Sequence, residues 1–178
     1  MVMQKIFVSQ LKKIDILRKN PYFNSLDEIV LLDLAYGTSL RLYQPQEIVC
    51  WQGEACEGLF ILHDGSVKLF KLSPKGRELI IRVLDAGDYF NEVPVFDGGQ
   101  NPVNVASLEE SYIWLVDAEV IRRCVEENPK MAEAVIHNLA ENLRRLVGVV
   151  EELSFYQVTN RLARLISRMP ADQLLILA

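Results

Sequence analysis

Between Ser39 and Val116 a turn signal recurs roughly every eight to twelve residues, and the gaps hold short runs of apolar residues. That cadence is the tightest constraint on the fold. Gaps so short favour a β-sandwich or jelly roll over βαβ units, whose crossover helices need more room. Leu40, Leu42 and Ile48 alternate with polar neighbours around Gln44-Pro45-Gln46-Glu47. Leu59-Phe60-Ile61-Leu62 leads into His63-Asp64-Gly65-Ser66, where the Asp-Gly pair predicts a hairpin. Val67, Leu69 and Phe70 follow, and Ser73-Pro74-Lys75-Gly76 turns into Leu79-Ile80-Ile81-Arg82-Val83-Leu84.

Helical periods flank this region. In residues 1–38, Leu11, Ile14 and Leu17 predict one helix, broken at Asn20-Pro21. Ser25-Leu26-Asp27-Glu28 restarts a second, with Ile29, Leu32, Leu34 and Ala35 as its apolar side and Gly37 as its end. In residues 117–154, Asp117-Ala118-Glu119 opens a helix that Asn128-Pro129 breaks, and a long helix follows over 130–153. Ala132, Ile136, Leu139, Leu143, Leu146, Val150 and Leu153 alternate spacings of four and three, a coiled-coil seam. Val135, Val147 and Val149 add a second apolar flank, as expected of a helix with two partners: its own sheet and a symmetry mate. The expectation is a homodimer through this helix.

Inside the strand-rich region, residues 87–107 form a distinct cassette. Phe90-Asn91-Glu92 reads as a helix opening with Asn91 as N-cap and Pro94 tolerated in the first turn. Asp97-Gly98-Gly99 stops that helix, and a strand resumes near Val103. A short helix set between strands makes a natural pocket for an anion or small ligand.

Half of the 178 residues are apolar, enough for a full core, and the net charge of −5 gives no basic field for nucleic acid. No apolar run approaches a membrane span, and the first residues lack a signal-peptide pattern, so a cytoplasmic protein without a membrane partner is expected. Cys50, Cys56 and Cys124 are an odd set without framework spacing and are read as reduced thiols.

The order of parts resembles the Crp/Fnr family of bacterial transcription regulators. The resemblance rests on Gly53-Glu54, on Gly58-Leu59-Phe60-Ile61-Leu62-His63-Asp64-Gly65-Ser66-Val67-Lys68-Leu69, on Gly76-Arg77-Glu78, and on Ala86-Gly87-Asp88-Tyr89-Phe90-Asn91-Glu92. Val158-Thr159-Asn160-Arg161-Leu162-Ala163-Arg164-Leu165-Ile166 after the long helix is similar too. It implies an α+β fold: a double-stranded β-helix (jelly roll) of the cyclic-nucleotide-binding type over 39–116. N-terminal helices and a long C-terminal dimerisation helix would flank it, and 155–178 would be the truncated start of a winged helix-turn-helix domain.

Two departures from the family pattern stand out. The family's cassette implies an arginine on the cyclic phosphate and a glutamate on the ribose. Glu92 matches the glutamate, but Pro102-Val103 stands where Arg followed by Ser or Thr is expected. From Val83 to Ile121 there is no Lys or Arg, whereas Asp85, Asp88, Glu92, Asp97, Glu109, Glu110, Asp117 and Glu119 are acidic. A phosphate there would forfeit charge-assisted bonds worth about 1.5–3 kcal/mol each. Leu146 and Val147 occupy the helix positions where hydroxyl residues would read adenine. The candidate pocket residues are therefore Phe90, Asn91, Glu92, Val93, Pro102, Val103, Leu146 and Val147, open to an unidentified small-molecule effector. The second departure is length. Met169 to Ala178 is too short for a turn and a recognition helix, so DNA is expected as a partner only through a C-terminal domain missing from this chain. Arg161, Arg164 and Arg168 share a helical side and read as a solvated face.

No cofactor, metal site or catalytic constellation emerges. His63 and His137 lie far apart without ligand spacing, which argues against a cupin-type metal enzyme. The expected function is the sensing and dimerisation part of a regulator, degenerate for cAMP and cGMP. A ligand-free dimeric interaction module stays open. So does a haem or redox sensor using His63, His137 or the pair Cys50 and Cys56.

Overall fold

The computed structural model describes residues 4–155, which form nine strands and five helices. Two antiparallel sheets face each other. One has the order β1(Gln4–Ile6), β2(Thr38–Tyr43), β9(Ser111–Asp117), β4(Gly58–Asp64), β7(Tyr89–Phe90). The other has the order β3(Ile48–Cys50), β8(Asn104–Ser107), β5(Ser66–Leu72), β6(Glu78–Asp85). Side chains alternate across each strand, so one set from each sheet meets in the middle. Phe60 and Leu62 of β4 and Ile113 and Leu115 of β9 pack with Val67 of β5, Leu84 of β6 and Val105 of β8. This is the α+β jelly roll expected from the turn cadence.

The turn at Asp64-Gly65 departs from expectation. β4 and β5 are separated by one residue, yet β4 pairs with β7 and β9 while β5 pairs with β6 and β8. Asp-Gly therefore marks a corner where the chain crosses between sheets, not a hairpin. Both uses need a residue at positive φ, which Gly65 supplies at 88°. Only strands distant in sequence decide between them. The turn expected at Ser73–Gly76 is the one that closes a hairpin: β5 and β6 pair directly, and Ser73 N–H donates to Arg77 O at 2.8 Å.

The outer face of the first sheet is covered by helices. α1(Gln10–Lys19) buries Ile14 and Leu17 and leaves Leu11 exposed. α2(Glu28–Tyr36) buries Leu31, Leu34 and Ala35, so the predicted apolar side needs correction: Ile29 (84%) and Leu32 (38%) are exposed, and Leu31 is buried instead. Asp27 occupies the N-cap position without a side-chain cap bond. α4(Ala118–Glu127) is capped as expected, Asp117 accepting from Glu119 N–H at 2.8 Å and Val120 N–H at 3.2 Å. β1, a three-residue strand, lies in a stretch read only as helical, because three residues are too few to display a period.

The chain divides into two compact units, residues 1–134 and 135–178. The second contains most of α5(Pro129–Phe155). Along it Ile136 (68% exposed), Leu139, Leu143 (62%), Leu146, Val147, Val149 and Val150 are exposed, an apolar stripe among the described residues. Of the second apolar flank, Val135 is buried and Val147 and Val149 are exposed. The Leu153 side chain, Arg161, Arg164, Arg168 and the rest of 156–178 lie outside the described residues. No helix among the described residues is long and apolar enough to cross a membrane.

Candidate functional site

The cassette begins where β7 hands the chain to α3(Glu92–Asp97). Phe90 is buried and stacks on Phe60, with ring centroids 5.0 Å apart and planes within 9°, which anchors the cassette on the core. Asn91 then takes a left-handed conformation, φ 73°, which asparagine tolerates better than most side chains. It stands at the N-cap position but caps nothing. Its amide Nδ2 donates instead to Gly58 O (3.1 Å), Asn101 Oδ1 (3.1 Å) and Cys56 Sγ (3.3 Å). Gly98 at φ 74° ends the helix, as predicted from Asp97-Gly98-Gly99.

Two further asparagines extend the network, and the sequence reading missed both. Asn101, almost fully buried, donates from its side chain to Trp51 O at 3.1 Å. Its backbone exchanges bonds with the 51–54 loop, N–H to Glu54 O (3.0 Å) and O from Gly53 N–H (2.9 Å). Asn104, also buried, accepts from Gln52 N–H at 2.9 Å and donates to Phe70 O at 3.3 Å. Buried amides are retained where every donor and acceptor is matched, and here they fix the cassette to the loop before β4. The only sequence signal was three asparagines within fourteen positions, 91, 101 and 104.

Between cassette and second sheet lies a cavity of about 190 Å³. Phe90, Asn91, Glu92, Val93, Pro102 and Val103 line it, so the structure gathers six of the eight candidate pocket residues. Leu146 and Val147 are on the second unit, where both are exposed. Leu69, Leu84 and Val105 complete an apolar wall. Arg82 also lines the cavity, which corrects the expectation of a wholly acidic field. It sits one position before the cation-free window and enters from β6, a strand the motif does not include. Its guanidinium is 3.5 Å from Asp88, both about half exposed, so part of its charge is already engaged.

Cys50 and Cys56 are free thiols. Burial pushes Cys50 up to about 12 and raises Cys56 as well, so both stay protonated and weakly nucleophilic at neutral pH. His63 is on β4, whereas His137 is on the second unit and lies 3.3 Å from Glu141. Among the described residues no group of three or more His, Cys, Asp or Glu gathers as a metal site.

The cyclic nucleotide-binding domain family matches residues 40–128. The chain is 28% identical over 113 residues to a CRP-like cAMP-activated global transcriptional regulator of Mycobacterium tuberculosis, covering 64% of this chain and 50% of that protein. It is 27% identical over 148 residues to the cyclic AMP receptor protein of Thermus thermophilus, covering 83% and 68%. The chain thus spans about half the length of the first of these relatives. The crystal structure of the Thermus thermophilus catabolite activator protein superposes with a TM-score of 0.63 at 26% identity, covering 76% of this chain and 64% of that one. The sensor domain of the transcriptional regulator DNR from Pseudomonas aeruginosa shares the fold, with a TM-score of 0.70 at 23% identity, covering 82% and 98%.

Proposed function

This chain belongs to the cyclic nucleotide-binding domain family and is homologous to Crp/Fnr-type regulators, and on that premise we propose that it is the effector-sensing and dimerisation part of a cytoplasmic transcriptional regulator whose pocket has lost its cyclic-phosphate clamp. The observation that carries this is the cavity wall: Pro102 and Val103 face the space where the resemblance requires an arginine and a hydroxyl. Proline offers neither a charge nor a backbone N–H, and valine offers no side-chain donor. Glu92 remains, with Arg82 and Asn91 beside it, so the pocket keeps polar groups next to an apolar body. The effector is a small molecule recognised without a phosphate anchor.

Calorimetry with cAMP and cGMP tests the reading. Dissociation constants no tighter than about millimolar are expected. A micromolar constant that disappears in Arg82→Gln would show that Arg82 substitutes for the clamp, and the proposed loss would be wrong.

Dimerisation is supported by the exposed stripe on α5. Leu143→Glu places an unpaired charge in the seam of both copies and is expected to weaken the dimer at least about a hundredfold. Analytical ultracentrifugation would read this as monomers at micromolar concentration. Dimers unaffected by the change would remove the seam from the assembly.

A further inference from the structure

A second and larger cavity, about 370 Å³, lies on the opposite side of the first sheet, bounded by the end of α1, β4, β9 and the turn at Ala86-Gly87. Its apolar surface comes from Ile16, Ile61 and Trp114. Ile61 and Trp114 are cross-strand partners, which places them side by side on the outer face. Three titratable groups line this cavity, Lys19, His63 and Tyr89, and no carboxylate lines it although the chain carries a net charge of −5. His63 is the extra residue of a β-bulge: Leu62 pairs with Ile113 and Asp64 with Tyr112, leaving His63 without a partner position. Bulges re-aim a side chain, and this one sets the imidazole edge-on to Trp114 at 5.9 Å between centroids.

Two buried donors in the lining have no acceptor. The Trp114 indole Nε1–H is unpartnered in a residue with 0% exposure. Asn20, 3% exposed, accepts from Tyr22 N–H at 3.0 Å through Oδ1, which fixes its amide and leaves Nδ2 without a partner. Buried donors are nearly always satisfied, so two at one cavity call for an acceptor that the protein itself does not supply.

We propose that this cavity is a second ligand site, separate from the cassette pocket, for a small monocarboxylate with an apolar body. The carboxylate takes acceptor positions to Lys19 and His63, and a small shift of the lining brings the two orphan donors, both closed off in this structure, within its reach, while Ile16 and Ile61 cover the hydrocarbon part. The volume suits a molecule of about ten heavy atoms.

The probe is 3-phenylpropionate, with 3-phenylpropionamide as its uncharged counterpart. Trp51→Phe leaves Trp114 as the sole tryptophan, so its emission and its indole ¹H–¹⁵N resonance report on this site alone. The acid is expected to give a saturable change with a dissociation constant below about 1 mM and a downfield shift of the indole proton. The amide, and the acid against Lys19→Gln/His63→Gln, should each bind at least about tenfold more weakly. Arg82→Gln, in the other cavity, should leave binding within about twofold. No saturation by about 10 mM, equal affinity for acid and amide, or insensitivity to the double variant would each overturn the site.

Discussion

Replacing Pro102-Val103 by Arg-Ser is expected to raise cAMP affinity at least about a hundredfold, from roughly millimolar to tens of micromolar or better. Both residues already line the cassette cavity, so the new groups enter at the required place. Arginine adds a forked cation and restores the backbone N–H that proline lacks; serine adds a hydroxyl. Two charge-assisted bonds at about 1.5–3 kcal/mol each set the upper range. Asp88 and Glu92 near the same cavity lower it by competing for the new guanidinium. Gln-Ser at the same positions has similar size without the charge and should gain less than about threefold. If Arg-Ser gains no more than Gln-Ser in calorimetry, the phosphate clamp is not what this pocket lacks.

Gly65→Ala is expected to destabilise the first unit by about 3–5 kcal/mol, a large share of the roughly 5–15 kcal/mol that holds a typical domain together. Two effects combine. The residue sits at φ 88°, where an L side chain is strained. An added Cβ would also stand 2.4 Å from Ser111 Oγ and 2.6 Å from Glu110 O. Ser111 cannot easily yield, because it is fully buried and its one hydroxyl proton is held between the backbone carbonyls of Glu109 (2.9 Å) and Ser66 (3.2 Å). Gly76→Ala separates the two effects: φ is 74° there, but nothing lies within 4 Å of the added Cβ, and a loss of only about 1 kcal/mol is expected. Urea unfolding monitored by Trp114, buried in the first sheet, measures both. Equal losses in the two variants would show that the corner at Gly65 is not sterically closed.

Local features of the chain were enough to determine the fold class, because they act over a few residues. Alternation from Ser39 onward, the Ser73–Gly76 turn, the Asp117 cap and the Gly98 stop are each set by neighbours that meet in any conformation of that segment. The exposed apolar positions Ile136, Leu139, Leu143, Leu146 and Val150 on α5 were legible for the same reason, since helical period alone puts them on one stripe. Tertiary structure decided everything that depends on distant partners. Asp64-Gly65 reads the same whether it turns a hairpin or crosses between sheets, and only β9 and β7 pairing with β4 settles it. Asn91 looks like a cap until Gly58 and Asn101 arrive to occupy its amide. Arg82 belongs to no cassette motif and reaches the cavity because β6 borders it. The second cavity, too, exists only once α1 folds over β4 and β9, leaving Trp114 and Asn20 buried with donors that their own strand and helix cannot satisfy.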